Sequence, residues 1–498
     1  MTSGREKKGR IILFTVFGLV LIGSLILPEW CPAAASPEGD KAHPGLGYVL
    51  PIWSIIPFIG ILLSIALCPL LTPHFWHDHF GKVSAFWAIL FAVPAVYVYH
   101  ETAVIPILHI YIIDYIPFII LLWGLFTISG GIVVTGKLRG TPVMNSVLLL
   151  IGTVLASWVG TTGASMVMIR PVLRANRDRE KKAHVVCFFI FLVANIGGAL
   201  TPLGDPPLFL GFLHSVPFFW VTKAILPHML LTSLIVLALF YLIDTYYYRR
   251  EKSRLVVPES PAEKSPIKVE GIYNLLFLAG VVGLVLLSGY WKAGCFTVMG
   301  IEVFYQNIVR DVGIVIMGVL SLRFTPWKLR ELNEFSWAPI MEVAKLFAGI
   351  FMTILPALGI LQAGPQGAMA GLLVYVTDPV HYFWASGSLS SFLDNAPTYL
   401  TFFYMALGKL GMTEAMVPGA CSIGTVTYNP EFAAFLKGIS AGSVFMGANT
   451  YIGNAPNFMV KSIAEEAGVN MPSFFGYMFK YSIPILIPTF ILVTFVFF

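Results

Sequence analysis

Two carboxylates stand where carboxylates are expensive. Asp205 lies in Thr201-Pro202-Leu203-Gly204-Asp205-Pro206-Pro207 and Asp394 in Leu393-Asp394-Asn395-Ala396-Pro397-Thr398, each inside a long apolar stretch. Charges so placed are usually functional. Hydroxyls and amides accompany them: Thr161, Thr162 and Ser165 beside Gly160 and Gly163; Thr201 and Gly204; Asn395, Pro397 and Thr398; and Asn449, Thr450, Gly453, Asn454 and Asn457. Carboxylate, hydroxyl and amide oxygens, with the carbonyls of unwound backbone, can replace the water shell of a small cation. The expected Na⁺ ligands are Thr161, Thr201, Asp205, Asp394, Asn395, Asn449 and Thr450. Glu342 and Lys345, at i, i+3 spacing, are a candidate coupling pair or a mutually neutralised structural pair. Arg170 is expected to snorkel or to brace the hairpin rather than bind substrate, and Asp114 and Asp311 to sit near span ends.

The elements that must position these residues follow from composition. Of 498 residues, 57% are hydrophobic and 11% charged, against roughly a quarter charged in a soluble protein. The apolar excess comes in blocks of about a bilayer span. An all-α polytopic membrane protein is expected, and a soluble fold is excluded. The net charge of +5 resides largely in short connections between blocks, where Lys and Arg orient helices rather than bind nucleic acid. Five scattered cysteines give neither a disulfide framework nor a zinc cluster. No HExxH motif is present, and Leu203-Gly204-Asp205 and Gly163-Ala164-Ser165-Met166 are incomplete versions of intramembrane protease motifs, so no enzyme is expected.

Residues 1–49 form an N-terminal helix, or a cleavable signal-like segment ending near Ala33–Ala35, and an outer loop. Arg5, Lys7, Lys8 and Arg10 would hold that terminus in the cytoplasm. Residues 50–248 form a first repeat, with blocks at 50–71, 84–99 and 115–135, a hairpin over 145–175 broken at Gly160–Gly163, and a split helix over 184–220. The stretch 249–270, rich in Lys, Glu, Ser and Pro, is a cytoplasmic linker. Residues 271–498 repeat the order, with a hairpin over 380–410, a loop insertion around 413–430 and a split helix over 433–468. Both flanks of the first hairpin are basic, while the second opens on the other face, so the repeats are oppositely oriented. Setting GALTPLGDPP (198–207) over GANTYIGNAP (447–456) gives five identities in ten positions. About 11 transmembrane helices and two re-entrant hairpins result. Paired interruptions in inverted repeats point to a transporter's binding site near the midplane.

With SFLDNAPTY (391–399), TPLGDPP (201–207) and GANTYIGNAPN (447–457) in this order, the chain resembles the ion transporter superfamily. Within it, the sequence is similar to NhaD-type sodium/proton antiporters and to a neighbouring citrate-transporter group. The resemblance implies a homodimer, a scaffold domain that holds still and a transport domain that moves as an elevator in a bacterial inner membrane. It places ion sites at Gly160 to Ala164 facing Thr201 to Asp205, and at Asp394 to Thr398 facing Asn449 to Asn457. The expected function is Na⁺/H⁺ antiport, with Na⁺-coupled uptake of citrate or another carboxylate as the alternative. Na⁺ and H⁺ are the expected ions, the lipid bilayer is the expected partner, and no other cofactor is expected.

Overall fold

The computed structural model describes residues 29–31, 46–136, 138–252 and 268–498. The apolar run 11–27 with its flanking basic residues, Ala33–Ala35, Lys137 and most of the linker lie outside the described residues.

The first apolar blocks become α1 (Ile56–Leu71), α2 (Pro73–Tyr99) and α3 (Glu101–Ser129). Helix α2 starts eleven residues before the expected 84, because Pro73 at its first position and an uninterrupted run carry the polar HFWHDHFGK into the helix. At His100 the backbone enters the left-handed region (φ 46°) and turns α2 into α3. Helix α3 runs unbroken through a π turn at Ile110–Tyr115. Asp114 is therefore buried in mid-helix, not placed at a span end as its polarity suggested.

The next blocks give α4 (Pro142–Val159), α5 (Thr161–Ala175), α6 (Ala183–Leu192), α7 (Pro206–Leu213) and α8 (Phe218–Lys252). After the linker come α9 (Asn274–Tyr290), α10 (Tyr305–Phe324) and α11 (Ala338–Gln362). Then follow α12 (Pro379–Ser390), α13 (Asn395–Leu410), α14 (Pro430–Met446), α15 (Ala455–Glu466) and α16 (Phe474–Phe497). Among the described residues, eight helices are long and apolar enough to cross a membrane. Helices α5, α7, α12, α13, α14 and α15 are shorter pieces ending at interruptions.

Helices α1, α2, α3, α9, α10 and α11 pack on one another, and α4–α8 pack with α12–α16. The groups meet chiefly where α11 lies on α13 and α3 lies on α5. Arg170 on α5 donates to Glu334 of the other group at 2.9 Å. Glu342 and Lys345 are both exposed and make no ion pair with each other, correcting their reading as a mutually neutralised pair. The lysine instead lies over the Phe80 ring of α2, 5.3 Å from its centroid. Asp311 pairs with the adjacent Arg310 at 2.7 Å.

Two small sheets mark opposite ends. Strands β2 (Val133–Thr135) and β3 (Lys268–Glu270) pair antiparallel beside the basic connections. At the far end β1 (Glu29–Cys31), β4 (Cys295–Val298) and β5 (Ile301–Phe304) form a sheet that the sequence reading did not foresee. Met299 and Gly300, both at positive φ, make its two-residue turn.

Candidate functional site

Four helix breaks meet at one buried carboxylate. The first break follows α4, where Gly160 at φ +80° reverses the chain so that α5 restarts at Thr161. In the second, α6 gives way to a 3-10 turn (Ile196–Leu200) and Thr201 to Asp205 run unwound before α7. The third separates α12 from α13 at Asp394. In the fourth, α14 passes through the turn Gly447–Asn449 and Thr450 to Asn454 unwind before α15.

The two split helices share one local geometry. Thr201 and Thr450 have φ, ψ of −139°, 159° and −137°, 169°, while Asp205 and Asn454 have −142°, 143° and −151°, 141°. Each threonine hydroxyl donates at 2.5 Å to a carbonyl of the neighbouring hairpin, Thr201 to Ser157 and Thr450 to Ser391. A Cβ on Gly204 would stand 2.1 Å from the Gly198 carbonyl oxygen, and one on Gly453 2.5 Å from that of Gly447. Only glycine allows either crossing.

Asp205 is 2% exposed. Its Oδ1 accepts from the Thr161 hydroxyl at 2.9 Å and from Asn454 Nδ2 at 3.0 Å, and its Oδ2 accepts from Asn395 Nδ2 at 2.5 Å. One donor comes from each of the other three breaks. The Thr161 amide also donates to the Gly204 carbonyl at 2.8 Å. Among the described residues, no Lys, Arg or His forms an ion pair with Asp205. The compensation it receives is dipolar, from these donors and from the N-terminus of α7, whose N-cap position Asp205 occupies without a side-chain cap bond.

The remaining expected residues divide. Asp394 turns its Oδ1 back to the Ala396 amide at 3.0 Å as the N-cap of α13, and its carbonyl accepts from Thr398. Its carboxylate thus serves its own helix end. Pro397 lies buried in the first turn of α13. Asn457 is saturated, donating to the Gly447 and Thr450 carbonyls and accepting from Asn195, and its role is to hold the second split. Asn449 donates to the Ser391 hydroxyl. Oδ1 of Asn395, Oδ1 of Asn449 and Oγ of Ser165 are buried oxygens with no protein donor, suited to a cation. Thr162 is half-buried, and Gly163 packs against Ser129 of α3. Asn195, which joins the first split to the second through Asn457 at 2.7 Å, was missed. An asparagine inside FFIFLVANIGG was the available signal.

Repeated membrane-length helices around a polar, broken-helix centre define a multi-pass membrane protein. The chain belongs to a family described as "Putative citrate transport", which matches residues 47–498; it is thus a member of a membrane-transporter family. No curated protein matches it at a significant level.

Proposed function

We propose that the protein is a cation-coupled secondary transporter that exchanges Na⁺ for H⁺ at Asp205. The observation that carries this reading is a buried carboxylate, without a cationic partner, receiving one neutral donor from each of three other helix breaks. Such a carboxylate is stable as a protonated acid or beside a cation, and costly with neither. Thr161 and the free oxygens of Asn395 and Asn449 would help replace the water of Na⁺. A proton taken by Asp205 would remove the charge that holds the ion. Alternation between these two states couples opposite fluxes.

The packing division supports an elevator in which α4–α8 and α12–α16 move past a static group of α1–α3 and α9–α11. We place the protein in the inner membrane as a homodimer, with the N-terminus and the basic end of the molecule in the cytoplasm. A second reading, Na⁺-coupled uptake of citrate or another carboxylate, is favoured by the family match. In it the bound cation neutralises Asp205 beside the anion. Vesicles containing a pH-sensitive dye separate the two. Addition of Na⁺ is expected to dissipate a proton gradient in the native protein and not in Asp205→Asn. Na⁺-driven accumulation of labelled citrate without a pH response would overturn exchange in favour of uptake.

A further inference from the structure

A second group of buried ionisable side chains lies away from the breaks. His214 caps the C-terminal end of α7 and is 3% exposed. Its Nδ1 meets Glu414 Oε2 at 2.9 Å and its Nε2 meets Asp114 Oδ1 at 3.3 Å. Tyr404 on α13 donates to Glu414 Oε1 and lies 3.2 Å from His214 Nδ1. His109 on α3 lines the cavity beside the same cluster. One imidazole therefore sits between two carboxylates: Nδ1 is hydrogen-bonded to Glu414, while Nε2 and Asp114 Oδ1 face each other at ion-pair distance without a hydrogen bond, and neither has another partner among the described residues.

The location matters more than the pairing. Helix α7 begins next to Asp205 and α13 at Asn395, so both half-helices that leave the central carboxylate end at this cluster. His214, Tyr404 and Glu414 belong with the group proposed to move. Asp114 belongs to α3 of the static group, roughly 22 Å from its Ser129 end at 1.5 Å per residue. The end of α7 thus meets the middle of its static neighbour, and a cavity of about 2540 Å³ opens beside the cluster.

We infer that His214, Asp114 and Glu414 form a second proton-binding site, remote from the helix breaks, that fastens the moving helix group to the static one while His214 is charged. This rests on the elevator reading for its consequence, though not for its chemistry. Flanked by two carboxylates in a buried setting, the imidazole is suited to carry the charge that faces them. Burial opposes charge on Glu414, yet His214 and Tyr404 hold that carboxyl down at about 2. The positive end of the clasp is therefore present while the imidazole holds its second proton and lost once rising pH removes it. Glu414 and Tyr404 travel with His214, so the contact that opens is the ion-pair approach to Asp114.

The test is a double-mutant cycle on the melting temperature of the purified protein, with Asp114→Asn and His214→Gln, at about pH 7 and about pH 10. At the lower pH each variant should melt earlier than the native protein, and the double variant no earlier than the worse single one. At the higher pH that coupling should vanish. Additive losses at both pH values would overturn the inference. His214→Lys guards against a merely disruptive substitution, because an ammonium with an ordinary value of about 10.4 extends the coupling to higher pH; unchanged pH dependence in this variant would also overturn it. The cycle needs no transport. Coupling without Na⁺/H⁺ exchange leaves the clasp and removes the exchange reading, whereas exchange without coupling does the reverse.

Discussion

The first and second split helices carry nearly the same backbone and opposite burdens. Both unwind after a 3-10 turn, tie a threonine to the adjacent hairpin and cross on a glycine. At the matched position one has Asp205 and the other Asn454, and the amide donates to the carboxylate at 3.0 Å. One backbone geometry thus occurs twice, and a charge stands at the matched position in only one of the two splits.

The sharpest way to break this comparison is to remove the difference. Asp205→Asn should abolish the Na⁺-driven pH response in vesicles, with a stability change of only about 1–2 kcal/mol, since the amide oxygen still accepts a hydrogen bond. Retained exchange would move the charge-carrying role elsewhere. Next in size are the crossings. Gly204→Ala and Gly453→Ala should each cost about 1–3 kcal/mol in thermal unfolding, because the added Cβ would stand 2.1 Å from one carbonyl oxygen in the first and 2.5 and 2.7 Å from two in the second. Tolerance of both substitutions would deny that the crossings are tight.

Asn454→Asp would make the halves alike in charge. Two neighbouring carboxylates resist ionising together, so the pH dependence of exchange should move upward by about one unit or more. The smallest effect belongs to Asp394→Asn. Asparagine caps a helix as well as aspartate does, so stability should change by a few tenths of a kcal/mol, with exchange largely preserved. Loss of exchange there, in a folded protein, would restore Asp394 as an ion ligand.

Much of the frame could be read before any fold was known. The break at Gly160, the interruptions at Thr201–Asp205 and Thr450–Asn454, and the second tip at Asp394 all follow from Gly, Pro and small polar residues inside apolar runs. These are local signals, and unwinding is a local event. Three things escaped this reading. Asp394 looked equivalent to Asp205, yet its carboxylate turns onto its own helix. Asp114 looked peripheral, because nothing nearby in sequence announces His214 and Glu414 as partners. Glu342 and Lys345 had helical spacing for a pair, but Lys345 turns to the Phe80 ring of α2 instead.

The sequence by itself determined that the chain is a bundle of apolar helices interrupted at four polar places, because hydropathy and helix-breaking act over a few residues. The tertiary structure decided which carboxylate the interruptions surround. The donors to Asp205 come from residues 44, 190 and 249 positions away, and only the packing of distant segments can turn a side chain toward such partners.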